Sequence, residues 1–167
     1  PDYDDQYAIP DGTVLLTVAE SSTLGNGLAV NDPISIADGV TGVIIDTYTH
    51  NFNPGNGIST EKVDYGIGDV PSNYVSSTCA DGSSPGSINC VLEVGASPIS
   101  GATISIMEVM ANPLDEDTGE YIELLNYGYE PVDLANFRIS DGDQEDRLQN
   151  YEGSSSILEP GSRALIL

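Results

Sequence analysis

Positive charge is what this chain has least of. Four cations, Lys62, Arg138, Arg147 and Arg163, stand against 27 acidic residues in a chain of 167, for a formal net charge of -23. A surface of that sign repels phosphate backbones and anionic lipid alike, so no nucleic-acid partner is expected. Long apolar runs are missing too. None approaches the roughly 20 residues a spanning helix needs, and membrane insertion is not expected. There is no basic, apolar leader and no initiator Met, so we expect a processed chain or a piece of a longer one. No Asn-X-Ser/Thr sequon, P-loop or Gly-X-Gly-X-X-Gly run occurs. Tryptophan is absent and His50 is the single histidine. We read His50 as a loop or strand-end side chain rather than a catalytic base, and no enzyme activity is expected.

What is present reads as one domain rich in turns, with 18 Gly and 10 Pro. Helical periodicities are lacking. Short β-branched runs, 13–19, 43–49, 102–109, 121–125, 137–140 and 164–167, are bounded by Gly, Pro, Asn or Asp, which is the pattern of strands and turns. The runs at Val43-Ile44-Ile45 and Ile104-Ser105-Ile106 read as core strands. The fold class is therefore all-β, a sandwich or barrel.

Cys79 and Cys90 bracket a Gly/Ser/Pro loop and read as a disulfide formed in an oxidising compartment. Two cysteines and one distant histidine do not make a four-ligand zinc site. Calcium is the better cofactor candidate, since hard cations take several oxygens. Three acidic clusters qualify: Asp2, Asp4 and Asp5; Asp115, Glu116 and Asp117; and Asp141, Asp143, Glu145 and Asp146 around Gly142.

Four ordered motifs resemble the opening half of a bacterial-type lamin-tail domain. They are Glu108 to Pro113, Glu120 to Asn126, Val132 to Asp141 and Leu158 to Ala164. The resemblance implies an immunoglobulin-like β-sandwich. Val43 to Tyr48, Phe52 to Ser59, Glu61 to Val63 and Ser83 to Asn89 resemble the closing half of the same family. The order of the halves is thus reversed: residues 1–91 as the closing half, 92–102 as a linker and 103–167 as the opening half. Glu108, Glu123 and Asn126 fall on polar positions of the motifs and are expected to hydrogen-bond loop backbone, as buried polar groups require.

Joined tail to head, the halves read as one complete domain. A period cut from a tandem array, a subunit completed by strands from a neighbour, and a circular permutant all fit that reading. The apolar strand end Ala164, Leu165, Ile166 and Leu167 would be a sticky edge if uncovered. Pro1 and Tyr3 stand where its continuation is expected. We therefore expect head-to-tail assembly with other copies of the chain. The function expected is a non-catalytic structural or adhesive module of an extracellular, cell-surface fibre or filament. An accessory module of a secreted hydrolase is the alternative.

Overall fold

The computed structural model describes residues 6–19, 27–50, 52–91, 94, 95, 97, 103–115 and 118–167. Twelve strands follow in chain order: β1 (Val14–Val18), β2 (Ile34–Asp38), β3 (Ile44–Tyr48), β4 (Thr60–Lys62), β5 (Tyr74–Ser76), β6 (Ile104–Met110), β7 (Tyr121–Asn126), β8 (Val132–Asp133), β9 (Phe137–Ser140), β10 (Glu145–Asn150), β11 (Ile157–Leu158) and β12 (Arg163–Ile166). Among the described residues there is no α-helix, only short 3-10 turns at Pro71–Asn73 and Leu134–Asn136. No helix there is long and apolar enough to cross a membrane.

Ten strands form one sheet in the order β3-β2-β9-β10-β1-β12-β7-β6-β4-β5, and β8 pairs with β11 apart from it. The sheet curls until β3 packs against β6. There Asp46 of β3 accepts from the Ile106 backbone N–H at 2.9 Å and from the buried Lys62 ammonium at 2.9 Å. The curl encloses the main core, with Leu16, Ile36, Ile106, Ile122, Leu134 and Ile166 fully buried. Each such side chain contributes roughly 1.5–3 kcal/mol on burial. This is the all-β class that the short runs imply, and it agrees with the immunoglobulin-like sandwich that the resemblance implies.

Strands from the first and second halves of the chain alternate within this sheet. β1 lies between β10 and β12, antiparallel to the first and parallel to the second. β4 joins β6 through Thr60↔Val109 and Glu61↔Glu108. Of residues 92–102, only Val94, Gly95 and Ser97 are described; Val94 is bonded by backbone to Val63 and Tyr65.

Two expectations need correction. Val43, Ile44 and Ile45 are not core residues: they are 59%, 60% and 39% exposed, at the start of a strand on the rim of the sheet, with Val43 just before it. Their apolar character is indistinguishable in sequence from that of a core strand, and only the position of β3 in the sheet decides it. Nor is the segment Ala164–Leu167 an open edge. β12 is paired on both sides, with β7 through Leu165↔Glu123 and with β1 through Leu15↔Leu165. Leu165 and Ile166 are fully buried. Pro1 and Tyr3 lie outside the described residues.

A carboxylate row under a disulfide-closed loop

The sheet has a second covered face. On β6 the pairing register shifts between Ile106 and Glu108. One extra residue, Met107, reverses the alternation. Ile106 therefore faces the main core, while Glu108 faces the opposite side with Met110. Across that opposite face the register sets Glu61, Glu108 and Glu123 side by side on β4, β6 and β7. All three are fully buried.

Burying three neighbouring carboxylates costs several kcal/mol each unless hydrogen bonds compensate. The compensation comes from the loop between β5 and β6. Its backbone donates one N–H to each glutamate: Val91 to Glu61 at 2.9 Å, Ser84 to Glu108 at 2.9 Å and Gly86 to Glu123 at 2.6 Å. Side chains complete the set. Ser77 donates to Glu61 at 2.6 Å, Tyr121 to Glu108 at 2.7 Å and the Arg163 guanidinium to Glu123 at 2.9 Å. The Cys79–Cys90 disulfide closes this loop, with Cα atoms 5.2 Å apart. Asn89 adds two bonds to backbone carbonyls of Lys62 and Met107.

Ser84 Oγ stands 3.1 Å from Glu61 and 3.0 Å from Glu108. Burial pushes the Glu108 carboxyl above its ordinary range against the pull of its donors. Burial pushes Glu123 well above it, with the neighbouring Glu108 charge adding to the shift and Arg163 opposing it. Asn126, at the end of β7, binds the carbonyls of Glu130 and Leu158 and accepts from the Gly128 N–H. All three polar motif positions thus bind backbone, as expected of them.

Beside the loop opens a groove of about 670 Å³, bounded by residues 6–8, the disulfide, Ile88 and Leu114. Tyr7 closes one end, donating to the Gly119 carbonyl at 2.8 Å and packing edge-on against Tyr121. Tyr7, Ile9 and Leu15 pack with Leu165 and Leu167, so the N-terminal segment and the last strand share one apolar cluster.

Of the three acidic clusters, only the one around Gly142 lies wholly within the described residues. Asp141 accepts from the backbone N–H groups of Asp143 and Gln144, which is the turn between β9 and β10. Glu145 pairs with Arg138 at 2.9 Å, while Asp146 points to the other face of β10 and is buried. Strand alternation, unread because β10 is polar in sequence, separates those two side chains. Asp115 lines the groove. Asp117, Asp2 and Asp4 lie outside the described residues, as do Glu116 and Asp5. Among the described residues the one convergent ligand group is Glu61 with Cys79 and Cys90, whose sulfurs are already joined to each other.

His50 is buried between the rings of Tyr48 and Tyr74, 4.9 and 4.6 Å away, with Asp69 3.3 Å from its Nε2. Burial holds its imidazole below the ordinary range. Sequence reasoning missed Glu61, since a Thr-Glu-Lys strand has no apolar signature. The only hint was its place three residues after Ile58 in a stretch that resembles a late strand.

No curated protein and no solved structure matches the chain. The family model described as Lamin Tail Domain matches residues 97–167, the segment that carries β6 to β12. That family is immunoglobulin-like and non-catalytic, and the all-strand architecture agrees with it. Over residues 97–167, the chain is similar to the lamin tail domain family.

Proposed function

We propose that this protein is a non-catalytic structural or adhesive module of an extracellular, cell-surface assembly, in which copies follow one another head-to-tail. The observation that carries this reading is the parallel pairing of β1 with β12, with Tyr7, Leu165 and Leu167 in one apolar cluster. That arrangement puts the entry to the first strand and the exit of the last at opposite ends of one strand pair, so that successive copies can follow one another in line. A β1 supplied by the next copy would find the same partners as the chain's own β1. The contact is heterologous, and heterologous contacts that do not close give filaments. Joined covalently, the same geometry makes a tandem array. The disulfide supports an oxidising, extracellular setting. The buried glutamates support a non-catalytic role, because each is held by loop backbone rather than presented to a substrate.

The register supplies the test, because Val14 lies opposite Ala164. In a Val14→Cys/Ala164→Cys variant, strand sharing gives a ladder of disulfide-linked oligomers on non-reducing gels. Exclusively intrachain linkage at high protein concentration overturns strand sharing and leaves the covalent array, which requires repeats of this sequence in the native protein. Sequence beyond both ends that contains no repeat, together with intrachain linkage, overturns the proposal.

A further inference from the structure

We infer that the groove beside the disulfide loop binds a peptide segment bearing a lysine or arginine side chain between apolar neighbours. The groove's volume of about 670 Å³ falls within the range of built ligand sites. Its apolar wall is Tyr7, Pro85, the Cys79–Cys90 bridge and the side chains of Ile88 and Leu114, beside the polar Gln6, Ser83, Ser84 and Ser87. Ile88 and Leu114 are 69% and 79% exposed, among the most exposed large aliphatics of the molecule. Leu114 lies over Gly57, where a Cβ would come within 2.8 Å of it, so the absence of a side chain at Gly57 gives Leu114 its place in the wall.

The charged residues of the lining are Asp81 and Asp115, and no cation lines it. An apolar trough with acidic residues selects a ligand with an aliphatic stem and a positive tip. That is the form of a lysine or arginine side chain. The same chemistry argues against a second copy of this chain. The whole sequence carries four cations, of which Lys62, Arg138 and Arg163 are paired with Asp46, Glu145 and Glu123. The partner is therefore a different, cationic protein or peptide. This inference rests on the molecule being a binding module but not on its self-assembly. The disulfide-trapping test of assembly and the binding test below fail independently.

The test uses three fluorescently labelled, end-blocked peptides, Gly-Leu-Lys-Leu-Gly and its norleucine and glutamate analogues, titrated by anisotropy at about 150 mM salt, where diffuse attraction is screened beyond roughly 8 Å. Saturable binding of the lysine peptide is expected. An Asp81→Asn/Asp115→Asn variant weakens it about tenfold, and the norleucine peptide binds the native protein about tenfold more weakly, as loss of partly desolvated ion pairs implies. Glu130→Gln/Glu152→Gln removes the same charge from exposed positions that do not line the groove, and is expected to change affinity by less than about twofold. Leu114→Ala, which leaves the charges in place, weakens the lysine peptide as well. Equal losses in the two charge variants, equal binding of norleucine and lysine peptides, or no saturable binding would each overturn the inference.

Discussion

Gly86 donates its backbone N–H to the Glu123 carboxylate at 2.6 Å, across 37 residues of sequence. The contact fastens a surface loop to a buried strand in the centre of the sheet. Gly86 has φ +74, and a Cβ there would stand 2.6 Å from Thr13 Oγ1 and 2.9 Å from Pro10 Cδ. Glycine is thus required twice at one residue, for its backbone angle and for its lack of bulk.

Gly86→Ala is expected to lower unfolding free energy by about 1–3 kcal/mol, through backbone strain and displacement of the loop. Gly153, at φ +80 with open space where a methyl group would stand, provides the comparison. Gly153→Ala carries the backbone strain alone. Urea denaturation should rank Gly86→Ala as the more damaging; equal effects would show that the Thr13 and Pro10 contacts yield freely.

The disulfide shortens the unfolded ensemble of an eleven-residue separation. Replacing both cysteines, Cys79→Ser/Cys90→Ser, should cost about 2–3 kcal/mol from the loop entropy it restores to the unfolded chain. Intact mass after alkylation without reductant should show no added label. A native protein that takes up two labels would contradict the bridge.

The carboxylate row predicts a pH dependence of definite sign. Glu108 and Glu123 are raised above the ordinary value of 4.5, so the folded chain holds protons that the unfolded chain has released. This contribution is fully present below pH 4.5 and is lost as pH rises through the folded values. Melting temperature should therefore fall from about pH 5 toward neutrality. Glu123→Gln, a permanently neutral isostere, should reduce that slope. An unchanged slope in the variant would mean that Glu123 is ionised throughout.

The net charge of -23 predicts that sodium chloride stabilises the fold, because screening relieves self-repulsion. Calcium is proposed in addition, at the acidic clusters anticipated from sequence. Its signature is a further rise in melting temperature with calcium at fixed ionic strength, reversed by chelator. Melting indifferent to salt, calcium and chelator would count against both.

Most of the strands that bury an aliphatic face against the main core could be read from sequence, although Ile34–Asp38, with Ile34 and Ile36 buried, was not among the runs. Ile104–Met110, Tyr121–Asn126, Phe137–Ser140 and Arg163–Ile166 fall within a residue or two of the β-branched runs. Thr60–Lys62 was legible only through the resemblance of Glu61 to Val63 to a late strand, and Glu145–Asn150 was not legible, because both patterns are polar. In the first, burial is offset by loop amides and by the Lys62–Asp46 pair, partners distant in sequence. In the second, only Asp146 and Leu148 turn inward.

Of the site, the disulfide and the backbone-binding role of Glu108 and Glu123 could be anticipated from local motifs. The third glutamate and the groove could not. Both depend on register between strands that lie far apart in the chain, and on a bulge at Met107 that nothing in the local sequence announces.

The parallel pairing of the first and last strands has a mechanical consequence. Val14, Leu15 and Leu16 run beside Ala164, Leu165 and Ile166 in the same direction, and the Leu167 N–H bonds the Leu16 carbonyl at 2.9 Å. A pull applied ahead of β1 and behind β12 draws the two strands past each other along their length. The bonds between them are then loaded together in shear. An antiparallel pair under the same pull would open one bond at a time, like a zipper. Tension along the chain is therefore met in shear where the first strand lies against the last.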